Sequence, residues 1–264
     1  MAVSGAVPTE LGSKNIRELL MQYAVPAIIA MTASSLYNMV DSIFIGHIKD
    51  VGSYAISGLA VTFPLMNIAT ALGTLVGVGA STLLSMLLGQ KNYVVANKVM
   101  INEVMLNVII GILFTAVTLI FLDPILMFFG ASENTLQYAM DYMVIILIGN
   151  VITHLYFGLN NMIRASGNPK LAMGLTIFTV VSNTIMDPVF IFWLDMGIRG
   201  AALATVLCQL FALSYTLKYF FNDKNYLHLP KRISEYRLDW RIAKDSLTIG
   251  LGPFLMNSAA CIVT

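Results

Sequence analysis

Two aspartates stand in stretches that carry almost no other charge. Asp41 lies in residues 26–46, PAIIAMTASSLYNMVDSIFIG, and Asp187 lies in residues 169–194. A carboxylate at the centre of a membrane helix costs roughly 2.5 to 3.5 kcal/mol on insertion scales, so a chain that keeps one pairs it or uses it. Both have polar company at helical spacing. Tyr37 and Asn38 precede Asp41 by four and three positions, and Asn183 precedes Asp187 by four. Thr205 and Gln209 form a further i,i+4 pair. Two carboxylates brought together in low dielectric cannot both stay ionised alone. They share a proton or hold a cation such as Na⁺ between them. Either outcome makes the pair a sensor of cation or proton supply. The plainer alternative is that both acids cap polar neighbours between helices.

The elements that must position these groups are long helices. A span needs about 20 apolar residues, and six stretches qualify: 16–46, 53–88, 93–122, 133–163, 169–194 and 198–221. The third is expected to end at Asp123-Pro124. A seventh begins near residue 242 and runs to Thr264. If the spans alternate in direction, Asp41, Asp187 and Thr205 all lie roughly 8–11 Å in from one end of the bundle, at 1.5 Å per residue. Pro26 and Pro188 lack an N–H, so each takes a rung out of its helix. Such breaks at membrane depth are tolerated where they line a cavity or bind an ion. That makes Pro26, about four turns from Asp41, and Pro188 candidate hinges. Glu103 and Asp141 sit nearer the helix ends and read as interfacial acids within reach of water or a neighbour. Asp41 and Asp187 are then the deep pair.

Composition agrees with an all-α polytopic membrane protein. The 264 residues are 58% hydrophobic and 11% charged, against roughly 25% charged in soluble domains. Mean hydropathy is +0.79. A net charge of +1 gives no case for nucleic acid. Cys208 and Cys261 both lie in apolar segments and indicate neither a disulfide framework nor a metal site. The N-terminus lacks the basic, apolar and small-residue pattern of a cleavable signal. Of 15 Lys and Arg, only Lys49 and Arg199 fall on one side of the alternating spans. By the positive-inside bias the other side is cytoplasmic, the N-terminus with it. Residues 1–14 are then a cytoplasmic tail, 15–221 a six-helix unit, 222–244 a basic cytoplasmic linker and 245–264 the start of a further unit. The linker reads as a segment lying on the anionic inner leaflet.

A short internal repeat accompanies that division. With Pro26 aligned on Pro253, Arg17 meets Lys244, Glu18 meets Asp245 and Leu20 meets Leu247. The seventh segment thus starts as the first does, which points to a duplicated plan with parallel repeats. The counterpart of Asp41 would fall beyond Thr264.

Several runs resemble the multidrug and toxic compound extrusion (MATE) family. They are Pro26…Tyr37-Asn38-Met-Val-Asp41-Ser-Ile-Phe-Ile-Gly46-His47, Ser57-Gly-Leu-Ala-Val-Thr-Phe-Pro64, Arg164-Ala-Ser-Gly167-Asn168-Pro169, Asn183-x-x-x-Asp187-Pro188 and Gly197-x-x-Gly200-Ala-Ala-Leu-Ala-Thr205. They occur in the family's order across most of the chain, and their style is similar to bacterial members of the MepA-like branch. The resemblance implies one six-helix lobe, the N-terminal one, and the start of a seventh helix from a twelve-helix, two-lobe fold facing a central cavity. It implies export of organic, mostly cationic and amphipathic compounds across the inner membrane by antiport with H⁺ or Na⁺, with no cofactor. The implied partners are these small molecules, the lipid bilayer and the second lobe. The family's cation site falls on Tyr37, Asp41, Asn183, Asp187 and Thr205. The aspartates would bind the cation, Asn183 and Thr205 would supply neutral oxygens, and Tyr37 would hydrogen-bond the acid. Na⁺, if that is the ion, would sit at Asp41, Asp187, Asn183 and Thr205. Asn38, Asn160 and Gln209 are weaker candidates.

Two other readings compete. A lipid-linked oligosaccharide flippase of the same superfamily tends to need a cationic cavity, whereas the deep charges here are acidic. A seven-helix receptor or sensor takes the segment count at face value and leaves the repeat unexplained. Enzyme motifs such as HExxH, GxSxG, a P-loop or CxxC do not occur. His47, His154 and His228 are scattered and read as structural.

Overall fold

The computed structural model describes residues 15–49, 51–222 and 225–263, without the side chains of Asn38, Ile233 and residues 260–263. The tail expected at residues 1–14, the Cys261 side chain and Thr264 lie outside the described residues.

All the regular structure among the described residues is helical, and the longest irregular stretch is the linker between Phe220 and Trp240. Helix α1 is Ile16–Gly46, α2 Gly52–Gly89, α3 Tyr93–Ile120, α4 Leu122–Phe128, α5 Glu133–Ala165, α6 Pro169–Pro188, α7 Ile198–Phe220 and α8 Trp240–Val263. Six of these (α1, α2, α3, α5, α6 with its extension, and α7) are long and apolar enough to cross a membrane. Local chemistry sets their starts. Asn15 accepts from the Arg17 N–H, and Asn92 accepts from the Val95 N–H at 3.3 Å. Thr135 Oγ1 accepts from the Ser132 N–H at 2.9 Å in a capping box. Pro169 occupies the first turn of α6, where a missing N–H costs nothing. Gly167 and Gly197, with φ of +95° and +55°, reverse the chain between spans.

Helix α2 is the central post, packed by α3, α5 and α8. Helix α7 lies against α5 and α6, and α1 leans mainly on α6. Two apolar clusters lie towards opposite ends of the bundle. One, around Leu84, Met100, Leu159, Met162 and Phe220, gathers the ends that carry most of the Lys and Arg. The other, around Leu59, Leu126, Tyr142, Leu147 and Ile191, gathers the opposite ends. Helices α2 and α8 touch backbone to backbone. A Cβ on Gly250 would stand 1.9 Å from the Leu75 carbonyl oxygen, and one on Gly79 would stand 2.0 Å from that of Ser246. Small residues bring membrane helices to this range, where dispersion replaces the missing hydrophobic drive.

Two expectations need correction, the end of the third span and the setting of the linker. The third span does not stop at Asp123-Pro124. It breaks at Phe121, and Asp123 and Pro124 fall in the first turn of α4, where proline is tolerated. As the missing N–H of Pro188 leads one to expect, the fifth span is not uniformly α-helical. After Pro188 it winds into a π segment, Val189–Trp193, closed by Leu194 N–H on the Val189 carbonyl at 2.9 Å. The linker does not simply lie on a leaflet. Leu227 and Leu229 are buried among the helix ends, and Asn97 of α3 donates to the Tyr226 carbonyl and accepts from the His228 N–H. Asn102 accepts from the Asp239 N–H at 2.8 Å, and Tyr226 OH donates to the Ser166 carbonyl. Glu103, read as an acid facing the bundle, is fully buried there. Asp141 is the surface acid of the two, in a 2.7 Å ion pair with Arg199.

Candidate functional site

Tyr37 and Asp41 share one face of α1, four residues apart, and Asn183 and Asp187 share one face of α6. Helix α7 brings Thr205 between them. Tyr37 OH and Thr205 Oγ1 are 2.9 Å apart, and Asn183 Nδ2–H donates to the same Thr205 oxygen at 3.3 Å. Three helices therefore meet at one hydroxyl. Asp41 is 6% exposed and Asp187 is 0% exposed. Their carboxyl groups lie within electrostatic range of each other. Asp41 Oδ1, both Asp187 oxygens and Asn183 Oδ1 are buried and meet no donor among the described residues. Four acceptor oxygens without donors are costly in a low-dielectric interior. A proton or an oxygen-loving cation is the species that relieves this deficit, and the donor set is all oxygen, as hard cations prefer.

A cavity of about 380 Å³ opens beside these groups. Tyr37, Asp41, Asn183 and Thr205 line it, together with Gln209 and Cys208 of α7. Asp187 sits behind this wall, out of solvent. Apolar and aromatic side chains, Phe63, Met66, Tyr142, Tyr156 and Phe157 among them, make most of the remainder. An aromatic wall with a few acceptors is the ordinary composition of a small-molecule pocket.

The remaining candidates divide. Gln209 is at the cavity and accepts a short hydrogen bond from Thr153 of α5. Asn160 is elsewhere. It is buried and donates to the Ala172 carbonyl at 3.1 Å, stapling α5 to α6. The Asn38 side chain lies outside the described residues. Pro26 is buried in α1, which runs α-helical through it, whereas Pro188 marks the change from α to π winding. Sequence reasoning passed over Tyr142, which lies within electrostatic range of Asp41, Tyr37 and Asp187. Its place one residue after Asp141, about 100° round α5 from the surface ion pair and towards the bundle, was the available signal.

The comparisons with known proteins converge. The MatE family model matches residues 26–189. Multidrug export protein MepA of Staphylococcus aureus (strain MSSA476) is 30% identical over 238 residues, 90% of this chain and 52% of the relative. The MepA of Staphylococcus haemolyticus (strain JCSC1435) is 30% identical over 242 residues, 92% of this chain and 53% of the relative. Among solved structures, a MOP superfamily transporter from Pyrococcus furiosus, described for the reverse polarity of its binding pocket, superposes with a TM-score of 0.82. It is 25% identical and is matched over 90% of this chain and 52% of its own. The chain spans about half the length of the curated relatives it matches. Its order of membrane helices, the family match over most of its length and these relatives agree: the chain belongs to the MatE family, whose members are transporters and not enzymes.

Proposed function

We propose that this chain is the N-terminal lobe of a secondary active transporter that exports organic, mostly cationic and amphipathic compounds by antiport with H⁺ or Na⁺. Its lobe partner is a second lobe of the same fold, and its setting is the bacterial inner membrane with the N-terminus cytoplasmic. The coupling cation binds between Asp41 and Asp187. Asn183 and Thr205 supply neutral oxygens, and Tyr37 orients Thr205. The observation that carries this reading is the cluster of four buried, donor-less oxygens beside an aromatic cavity. A cation or proton bound there neutralises Asp41 at the cavity wall. Its release leaves a negative charge facing the cavity, which attracts a cationic compound. Exchange of one for the other at a shared carboxylate is the chemical basis of antiport.

The test is Asp41→Asn and Asp187→Asn in the intact protein, reconstituted in proteoliposomes with Na⁺ and pH gradients imposed separately. Each variant keeps the side-chain size and removes the charge. Each is expected to fold and to lose gradient-driven efflux, with cation affinity down about tenfold or more, the equivalent of roughly 1.4 kcal/mol. Wild-type drug export by Asp41→Asn would end the coupling role. The gradient that drives the wild type identifies the ion.

A further inference from the structure

A third buried acid lies towards the opposite end of the bundle and is not explained by the Asp41 cluster. Glu103 of α3 is 0% exposed. Asn107, one turn along, donates Nδ2–H to Glu103 Oε1 at 2.5 Å. Gly158 of α5 faces both: a Cβ there would stand 1.7 Å from Glu103 Oε1 and 2.6 Å from Asn107 Nδ2. One turn from Gly158, His154 spends Nε2–H on the Ala69 carbonyl of α2 at 3.0 Å, so its Nδ1 is an acceptor. Gly73 and Gly111 give that ring its room, with Cβ positions 3.3 Å from Cδ2 and 3.6 Å from Nδ1. Glu103 Oε2, Asn107 Oδ1 and His154 Nδ1 are all buried without a donor among the described residues.

Among the described residues, no charge on the neighbouring elements compensates this acid. Helix α2 carries no Asp, Glu, Lys, Arg or His at all. Lys98 of α3, Asp123 of α4, and Arg241, Lys244 and Asp245 of α8 are exposed. On α5, Asp141 is tied to Arg199 at the surface and Arg164 lies in the last turn. His154, one turn from Gly158, spends its N–H on the Ala69 carbonyl and brings no cation to the slot. An ionised carboxylate enclosed in this way has neither water nor a counter-charge, and such groups neutralise instead. A metal ion fits poorly, because the slot does not admit even a methyl group at Gly158 and imidazole nitrogen is not a ligand that hard cations choose. A proton needs no volume, and on Oε2 it turns one orphaned acceptor into a donor.

We propose that Glu103 is a second proton-binding site of this chain, held as the neutral carboxylic acid in the slot cut by Gly158, with Asn107 as its polar neighbour. The site does not depend on the cation reading of Asp41 and Asp187.

Infrared spectroscopy of the intact protein in lipid nanodiscs at pH 7, with glutamate labelled in its carboxyl carbon, reads the site directly. The chain's other glutamates are Glu10, Glu18, Glu133 and Glu235. The expected result is a glutamic-acid carbonyl band that Glu103→Gln removes and Asp41→Asn retains. Glu103→Gln is also expected to fold with an unchanged Tm, since an amide matches a neutral acid in size and, like it, pairs a carbonyl acceptor with a donor group and carries no charge. Gly158→Ala is expected to shift or abolish the band by pushing Glu103 out of its slot. Absence of the band in the wild type, its persistence in Glu103→Gln, or failure of Glu103→Gln to fold would each overturn the proposal. A band unmoved by Gly158→Ala would overturn the slot geometry on which it rests.

Discussion

Thr205 Oγ1 joins α1, α6 and α7 through a single oxygen, since Tyr37 and Asn183 both reach it. A hydrogen bond of this kind contributes about 0.5 to 1.5 kcal/mol net, and more is lost when a buried partner is left unsatisfied. Tyr37→Phe removes the phenol and leaves Thr205 bonded to Asn183. We expect a loss of about 1 kcal/mol in the attachment of α1 to α7, with cation affinity lowered by about fivefold. The measurement is cation titration of a fluorescent reporter on α1 in the intact protein. An unchanged midpoint would remove Tyr37 from the site. The sequence pointed to this residue because Tyr37, Asp41, Asn183 and Asp187 recur at a spacing of four in otherwise apolar runs. It could not point to Glu103. That acid lies far enough along α3 to be buried, but only the approach of Gly158, 55 positions later in the chain, closes the slot over it. Burial by a distant glycine leaves no local trace. Asn160 shows the converse, a polar residue of the right type near the other end of its helix, whose partner is a backbone carbonyl.

Helix positions were legible because apolar length and capping chemistry are local. The spans expected from hydropathy coincide with α1, α2, α5 and α7 to within two residues at each end. What escaped was set by tertiary contacts: the break at Phe121, the π winding after Pro188 and the docking of the linker. The α2–α8 crossing is the most demanding of these. Gly250→Val must push apart a pair of backbones now close enough that a Cβ would stand 1.9 Å from the Leu75 carbonyl oxygen. Overpacking of this kind typically costs about 1 to 3 kcal/mol. We expect α8 to detach from α2 before the six-helix bundle unfolds, seen as hydrogen exchange that rises in α8 alone. Exchange equal to wild type would show that the crossing tolerates the side chain. Tyr226 makes the corresponding test of the linker. Burial pushes its phenol from 10.0 up to about 12, against a smaller opposing effect of the Ser166 hydrogen bond. The folded chain thus keeps this proton longer than the unfolded chain. The stabilisation is complete below pH 10 and is lost as pH rises towards 12. Limited proteolysis of the linker should accelerate across that window in the wild type. In Tyr226→Phe it should be faster at neutral pH and show no further step there.

Across the whole molecule, charge and depth together define a direction. Lys and Arg crowd the end of the bundle that holds the linker, while the Asp41 layer sits near the other end. Arg199, one of two basic residues at that other end, is neutralised by Asp141 at 2.7 Å. Such a pair adds little to stability at an exposed site. Lys49 is then the main basic residue left against the positive-inside bias, and a single short-loop charge does not reverse a topology set by the rest. The cation layer would thus face the outer half of the membrane, roughly 8–11 Å below its surface end. Cysteine labelling decides this. In intact cells a membrane-impermeant maleimide should modify Lys49→Cys, at the exposed turn after α1, and should reach Lys170→Cys, exposed in the first turn of α6, only after lysis. Native Cys208 is buried and should stay unlabelled in both conditions. The reverse pattern would put the N-terminus outside and move the Asp41 layer to the cytoplasmic half. A cation arriving down its gradient from outside would then have to cross most of the bilayer before meeting either carboxylate.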